Sequence, residues 1–189
     1  PPDTDTRTIV EAVPDGWWYS AQVPGGRRTV AWLTDPAVLA DTQWREVEWF
    51  RSLVGRTRHL INFIDGYGYC FNGPPACTSA SSSRSKPWCG RAWIAVGDAG
   101  LAFDPLSSQG LLNALYTGMR GADAIADALA GDTTATDRYS EILRSVWEAY
   151  LQNQRGYYRI ERRWADQPFW RPRHQTAPEF PNESLIELT

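Results

Sequence analysis

The stretch from Gly97 to Gly110 (Gly-Asp-Ala-Gly-Leu-Ala-Phe-Asp-Pro-Leu-Ser-Ser-Gln-Gly) sets a carboxylate, a proline and a residue without a side chain between an apolar run and a long helical pattern. The run Ala92 to Val96 reads as a strand covered on both faces, being apolar without polar alternation. Ligands of open α/β sheets bind beyond the carboxyl ends of such strands, where loops and helix starts offer unpaired N–H groups. Asp98, at that exit, can accept hydrogen bonds from sugar-like hydroxyls. Gly110 has no Cβ, so a planar ligand can approach the N–H groups of Leu111 and Leu112, where the helix dipole favours negative charge. The plainer alternative is an ordinary strand-end turn, with Asp98 as an Asx-type cap and Pro105 at the first helical position.

Together these residues resemble the second FAD-binding motif of the flavin-dependent aromatic hydroxylases, their halogenase relatives and the related enzymes that modify peptidyl side chains. The resemblance implies that Gly97-Asp98 meets the ribityl chain of FAD and that Pro105, Gly110, Leu111 and Leu112 lie against the isoalloxazine ring. It implies NAD(P)H or a partner as reductant, and oxygenation of an aromatic or other electron-rich substrate, small-molecule or peptidyl. The flavin then carries the reaction while protein groups position it and stabilise its charge. No catalytic acid or base is assignable in this chain. In that family an antiparallel sheet roofs the flavin and holds the substrate, which makes Trp17, Trp18 and Tyr19 candidates for substrate contact, with core packing as the alternative. Halogenases carry Trp-x-Trp-x-Ile-Pro near this place. Here Trp17 and Trp18 are adjacent and Pro24 lies further on, which argues against halogenation.

Members of the family open with a strand, a GxGxxG turn and a helix that bind the ADP half of FAD, and no stretch of these 189 residues has that form. The expectation is therefore the later portion of a longer or two-chain flavoprotein. A missing N-terminal segment or partner chain would supply the adenosine pocket, and this chain alone would retain FAD weakly. The second function class is a non-catalytic ligand-binding or protein-binding domain of the same fold.

The elements that must position the motif read as a mixed α/β (α+β) chain, an antiparallel substrate-domain sheet followed by the strand, Gly-Asp turn and helix of a Rossmann-like FAD domain. Thr6 to Val13, Trp17 to Val23 and Arg27 to Leu33 alternate or carry β-formers, and Pro14-Asp15-Gly16 and Pro24-Gly25-Gly26 turn the chain between them. Asp35-Pro36 starts a helix that runs to Gly55 with a break near Asp41-Thr42. His59 to Ile64 and Tyr67 to Phe71 read as further strand. In the central helix the apolar residues Leu111, Leu112, Leu115, Met119, Ala122, Ile125, Ala126 and Leu129 recur at helical spacing in an amphipathic pattern, and Tyr139, Leu143, Val146 and Tyr150 mark the core-packing stripe of a helix reaching about Arg163. The expected divisions are 1–71 for the sheet and helix, 72–90 for a flexible loop, 91–170 for the cofactor-contacting part, and 171–189 for an extended tail.

Composition excludes other classes. Hydrophobic residues make up 42% and charged residues 22%, which suits a globular core, and a net charge of −3 leaves no electrostatic footprint for nucleic acid. No apolar run reaches the roughly 18 residues that suggest a membrane helix, and no leader pattern is present, so a cytoplasmic location is expected. Cys70, Cys77 and Cys89 lack CxxC spacing. Free thiols are the plain reading, with a Cys70–Cys77 or Cys77–Cys89 disulfide or a metal site as alternatives. His59 and His174 have no metal-ligand context, Gly66-Tyr67-Gly68 lacks the third glycine of a dinucleotide turn, and Glu161 and Asp166 dilute the arginines of 155–163.

Overall fold

The computed structural model describes residues 3–40 and 42–175. The chain divides into two compact units, one comprising the residues up to Thr78 together with Glu161–Gln175, the other Ser79–Ile160. Residues 161–170 thus join the first unit rather than the cofactor-contacting part, and the stretch 72–90, read as a loop, holds two short strands. The expected tail begins with a helical turn, Arg171–His174. From residue 176 onward it lies outside the described residues, as does Asp41 within the expected helix break.

In the first unit β1 (Ile9–Val13), β2 (Gly16–Val23) and β3 (Arg27–Leu33) form an antiparallel sheet in the order β1-β2-β3. Its register places Trp18 opposite both Glu11 and Trp32. Period two puts Trp18, Val30 and Trp32 on one face, where they pack with Leu53, Val54, Leu60 and Ile64. Trp18 stacks on Trp32 at 5.9 Å and meets Phe50 edge-on at 5.4 Å, geometries that favour aromatic pairs. The helix expected from Asp35 to Gly55 is two helices, α1 (Pro36–Leu39) and α2 (Val47–Val54). Pro36 starts α1 as expected, but the Asp35 carboxylate caps nothing. It pairs instead with the Arg173 guanidinium at 2.7 and 3.0 Å.

The segment read as strand from His59 to Ile64 is α3 (Leu60–Tyr67). Its isoleucines suggested β-structure, but Leu60 and Ile64 are one turn apart and enter the core together. The Glu11 carboxylate reaches across from β1 and accepts the N–H groups of Arg58 at 2.6 Å, His59 at 3.1 Å and Leu60 at 2.8 Å. It does the work of an N-cap from 47 residues away. Gly68, with φ of +69°, then ends the helix in the left-handed conformation that side chains disfavour. Glu11→Ala is expected to lower the unfolding free energy by ~1–2 kcal/mol, the range of a lost cap, seen as a lower urea midpoint at unchanged slope.

The second unit is built from β4 (Ser83–Arg84), β5 (Cys89–Gly90), β6 (Trp93–Ile94), β7 (Leu101–Ala102) and the long helices α4 (Gly110–Leu129) and α5 (Ala135–Tyr158). Its strands pair antiparallel in twos, β4 with β7 and β5 with β6. The core joins Trp88 and Leu101 to Ala124 of α4 and to Tyr139, Leu143, Trp147 and Tyr150 of α5. The expected strand Ala92 to Val96 shrinks to Trp93–Ile94, and it is not covered on both faces, Trp93 being 45% and Val96 37% exposed.

The apolar stripe of α4 faces outward. Asn113, Thr117, Gly121 and Ala124 are its buried residues, whereas Leu111, Leu112, Leu115, Met119, Ile125 and Leu129 are 47–84% exposed. Small residues let the helix lie close on the chain beneath it. A Cβ at Gly121 would stand 2.9 Å from Val96 Cγ1, closer than side-chain carbons pack. The mixed α/β class expected from the sequence holds.

Candidate cofactor site

The chain leaves β6 through Ala95 and Val96 and bends at a 3-10 turn, Gly97–Ala99. Gly97 is buried and has φ of +57°, a left-handed conformation that costs an L-residue roughly 1–2 kcal/mol. The bend is held from α4. Thr117, with no exposed surface, accepts the Gly97 N–H at 2.7 Å and donates its own hydroxyl proton to the Asn113 carbonyl at 2.7 Å. One turn earlier Asn113 donates from Nδ2 to the Leu101 carbonyl at 2.8 Å. Tyr139 of α5 donates to the Ala95 carbonyl at 2.8 Å, and burial pushes its phenol up to about 12. The polar residues of α4 thus clamp the motif at both ends of its first bend. Thr117→Val keeps the shape but orphans the buried Gly97 N–H, with an expected loss of about 1–3 kcal/mol measurable by thermal unfolding.

Beyond this clamp the motif faces solvent. Asp98 is exposed, and its carboxylate has no hydrogen-bond or ion-pair partner among the described residues. The second bend is a 3-10 turn, Pro105–Ser107, begun by Pro105 and capped by Asp104, whose Oδ1 accepts the Leu106 N–H at 2.8 Å. Ser108 follows at φ of +52°, a second left-handed residue, this one with a Cβ. Such strain, of order 1–3 kcal/mol, persists where neighbours over-determine the backbone and gathers at functional sites.

Helix α4 then begins without a side-chain cap. The N–H groups of its first turn, at Gly110, Leu111 and Leu112, point out of the helix with no intrahelical acceptor. A Cβ built on Gly110 would meet nothing within 4 Å, so open space lies over the helix start. The buried Oδ1 of Asn113 has no hydrogen-bond partner, and the Nδ2 bond to Leu101 fixes the amide so that it stays the oxygen. Backbone amides at a positive dipole end suit the electron-rich edge of a heterocycle, and the free carboxylate of Asp98 suits a polyhydroxy chain. The residues present therefore fit a flavin carrying a ribityl chain.

The structure brings Gly97, Asp98, Pro105, Gly110, Leu111 and Leu112 into one unit, with Gly97 inside and the other five exposed. Trp17, Trp18 and Tyr19 lie in the other unit. Trp17 and Trp18 are 2% and 1% exposed, in keeping with the core-packing alternative, and Tyr19 is half-buried. Sequence reasoning passed over Asn113 and Thr117. Their one-turn spacing on the helix face opposite the leucines was the available signal. All three cysteines are free, and no group of metal ligands is present among the described residues. Among those residues no helix is long and apolar enough to cross a membrane.

A strand exit, a left-handed glycine bend and an uncapped helix start sit in a mixed α/β fold that this chain shares with flavin-dependent enzymes. The chain is 23% identical over 177 residues, 87% of its length and 44% of the relative's, to the "Putative FAD-dependent oxidoreductase LodB" of Marinomonas mediterranea. It superposes on the flavin-dependent halogenase CmlS with a TM-score of 0.76 at 20% identity, covering 95% of this chain and 33% of that one. On the peptidyl tryptophan dihydroxylase QhpG, essential for tryptophylquinone cofactor biogenesis, the TM-score is 0.73 at 22% identity, with coverage of 88% and 39%. No protein-family profile matches the chain. The chain spans less than half the length of these relatives.

Proposed function

We propose that this chain is the FAD-contacting and substrate-side part of a flavin-dependent monooxygenase acting on an aromatic or other electron-rich substrate. The observation that carries the reading is the motif's geometry. A Thr117-clamped Gly97 bend presents an unpartnered Asp98 carboxylate, and the uncapped start of α4 lies under open space at Gly110. Asp98 would hold the ribityl hydroxyls, Pro105 would flank the ring, and the amides of Gly110, Leu111 and Leu112 would hold the negative charge that reduction places on the ring's pyrimidine edge. FAD supplies the redox chemistry, taking two electrons from NAD(P)H and passing them to O2, one oxygen atom of which enters the substrate while the other leaves as water.

The apolar face of α4 fits the same reading. Leu111, Leu112, Leu115, Met119, Ile125 and Leu129 are exposed along one helix, and Trp93 and Val96 are exposed on and just beyond β6. An apolar patch of this extent on a monomer marks a contact surface. The occupant we assign to it is the rest of the flavoprotein fold, whether on the same polypeptide or a partner chain, because the relatives are more than twice as long as the part matched here.

Hydroxylation is the favoured chemistry. QhpG is named for a tryptophan dihydroxylation and CmlS for halogenation, but the adjacent Trp17 and Trp18 of this chain do not reproduce the spaced tryptophan pair of halogenases and are buried. The test uses the complete protein with FAD. NAD(P)H added without oxygen should bleach the flavin absorbance, and admitting O2 should restore it. A complete protein that takes up no FAD would overturn this reading and leave the non-catalytic binding domain in its place.

A further inference from the structure

We propose that one face of α5 is a positioning device for the cofactor loop, acting through Asp104. This rests on the flavin reading above and assigns new residues to it. Tyr150, Gln154 and Tyr158 recur at intervals of four along α5 and so share a face. All three reach the residue that begins the Pro105–Ser107 turn. Tyr158 donates its hydroxyl to Asp104 Oδ2 at 2.7 Å, Gln154 Nε2 donates to the same oxygen at 3.2 Å, and the Asp104 N–H donates to the Tyr150 hydroxyl at 2.8 Å. Ser82 closes the group, with Gln154 Nε2 at 3.2 Å from its Oγ and the Tyr150 hydroxyl hydrogen-bonded to it. The Phe103 ring stacks on Tyr150 at 4.2 Å with only 12° between planes, fixing the residue before Asp104 as well.

Stabilising the core does not require this arrangement. Buried polar groups cost free energy unless fully satisfied, and apolar residues would fill the same space. What the network does fix is the backbone between Asp104 and Gly110. Oδ1 of Asp104 caps the turn while Oδ2 is held by α5, so the carboxylate sets the turn's orientation relative to the helix behind it. Pro105 and the left-handed Ser108 leave little freedom downstream. The direction in which the first amides of α4 face a flavin therefore depends on Tyr158 and Gln154, which themselves would touch no part of it. Both are positioning residues.

The experiment compares Tyr158→Phe with Leu143→Ala in the complete protein loaded with FAD, Leu143 being a core residue of α5 outside the network. Tyr158→Phe is expected to raise the FAD dissociation constant about 10-fold, the size of one charge-assisted hydrogen bond, and to shift the flavin's visible absorption band and reduction potential. Leu143→Ala should lower Tm while leaving the flavin spectrum and potential as in the parent. If Tyr158→Phe lowers Tm and leaves spectrum, potential and affinity unchanged, the network is structural only and the inference falls. A parent protein that binds no FAD would be a different failure, sinking the flavin reading and this inference with it.

Discussion

Asp98→Ala in the complete flavoprotein is expected to weaken FAD binding by roughly 10- to 100-fold and to leave the Tm of the apoprotein unchanged. The magnitude follows from losing hydrogen bonds to a charged acceptor, worth about 1.5–3 kcal/mol, with each ~1.4 kcal/mol counting tenfold. The unchanged Tm follows because Asp98 is exposed and bonds to nothing among the described residues. A residue kept for stability would show the opposite. Equilibrium titration of flavin fluorescence and thermal unfolding of the apoprotein separate the two. Asp98→Asn should fall between, since the amide still accepts hydrogen bonds but without the charge.

Leu115→Glu is expected to have the largest effect of any single change on α4, a loss of about 3–5 kcal/mol of stability in the complete protein, with flavin lost from the purified material. Leu115 is 65% exposed in this chain, so nothing within it would resist the substitution. If the remainder of the fold covers the stripe, the same change buries an unpaired carboxylate, one of the few single substitutions that costs this much. Arg120→Glu, on the same helix at a charged, exposed position paired with Asp123, is the control and should stay within about 0.5 kcal/mol of the parent. Equal small effects at both positions would show that no partner covers the stripe.

The behaviour of α4 also explains how far the sequence could be read. Its existence was legible, because Gly110 to Leu129 is a sustained helical pattern, although Pro105 opens a separate 3-10 turn ahead of it. Its orientation was not. Counting leucines as inward assumes that the chain in hand contains everything they pack against, and here the inward face carries Asn113, Thr117, Gly121 and Ala124 instead. The same assumption misjudged Ala92 to Val96, which has the composition of a doubly covered strand but is paired over only Trp93–Ile94. Both departures leave apolar side chains exposed on this chain.

The meander was readable for the opposite reason. Its turns, Pro14-Asp15-Gly16 and Pro24-Gly25-Gly26, are local chemistry, and the sheet's partners α2 and α3 lie within the same unit. Helix α3 escaped because the group that satisfies its first amides is Glu11, on a distant strand that no local window contains. In the cofactor loop the outward-facing residues were legible from the motif, whereas the residues that hold it had no motif to announce them. Thr117, Asn113 and the Tyr150-Gln154-Tyr158 ladder act through hydrogen bonds to backbone or to Asp104, which only the folded chain brings within reach.

The central claim is that bare amides at the start of α4 and the carboxylate at Asp98 face the cofactor. Amide hydrogen exchange of the complete protein, with and without FAD, measures it directly. The account predicts that FAD slows exchange at Gly110, Leu111 and Leu112, which have no acceptor within the helix, and leaves the already bonded amides of mid-α5 as they were. Unchanged exchange at those first-turn amides in a protein that has bound FAD would contradict it.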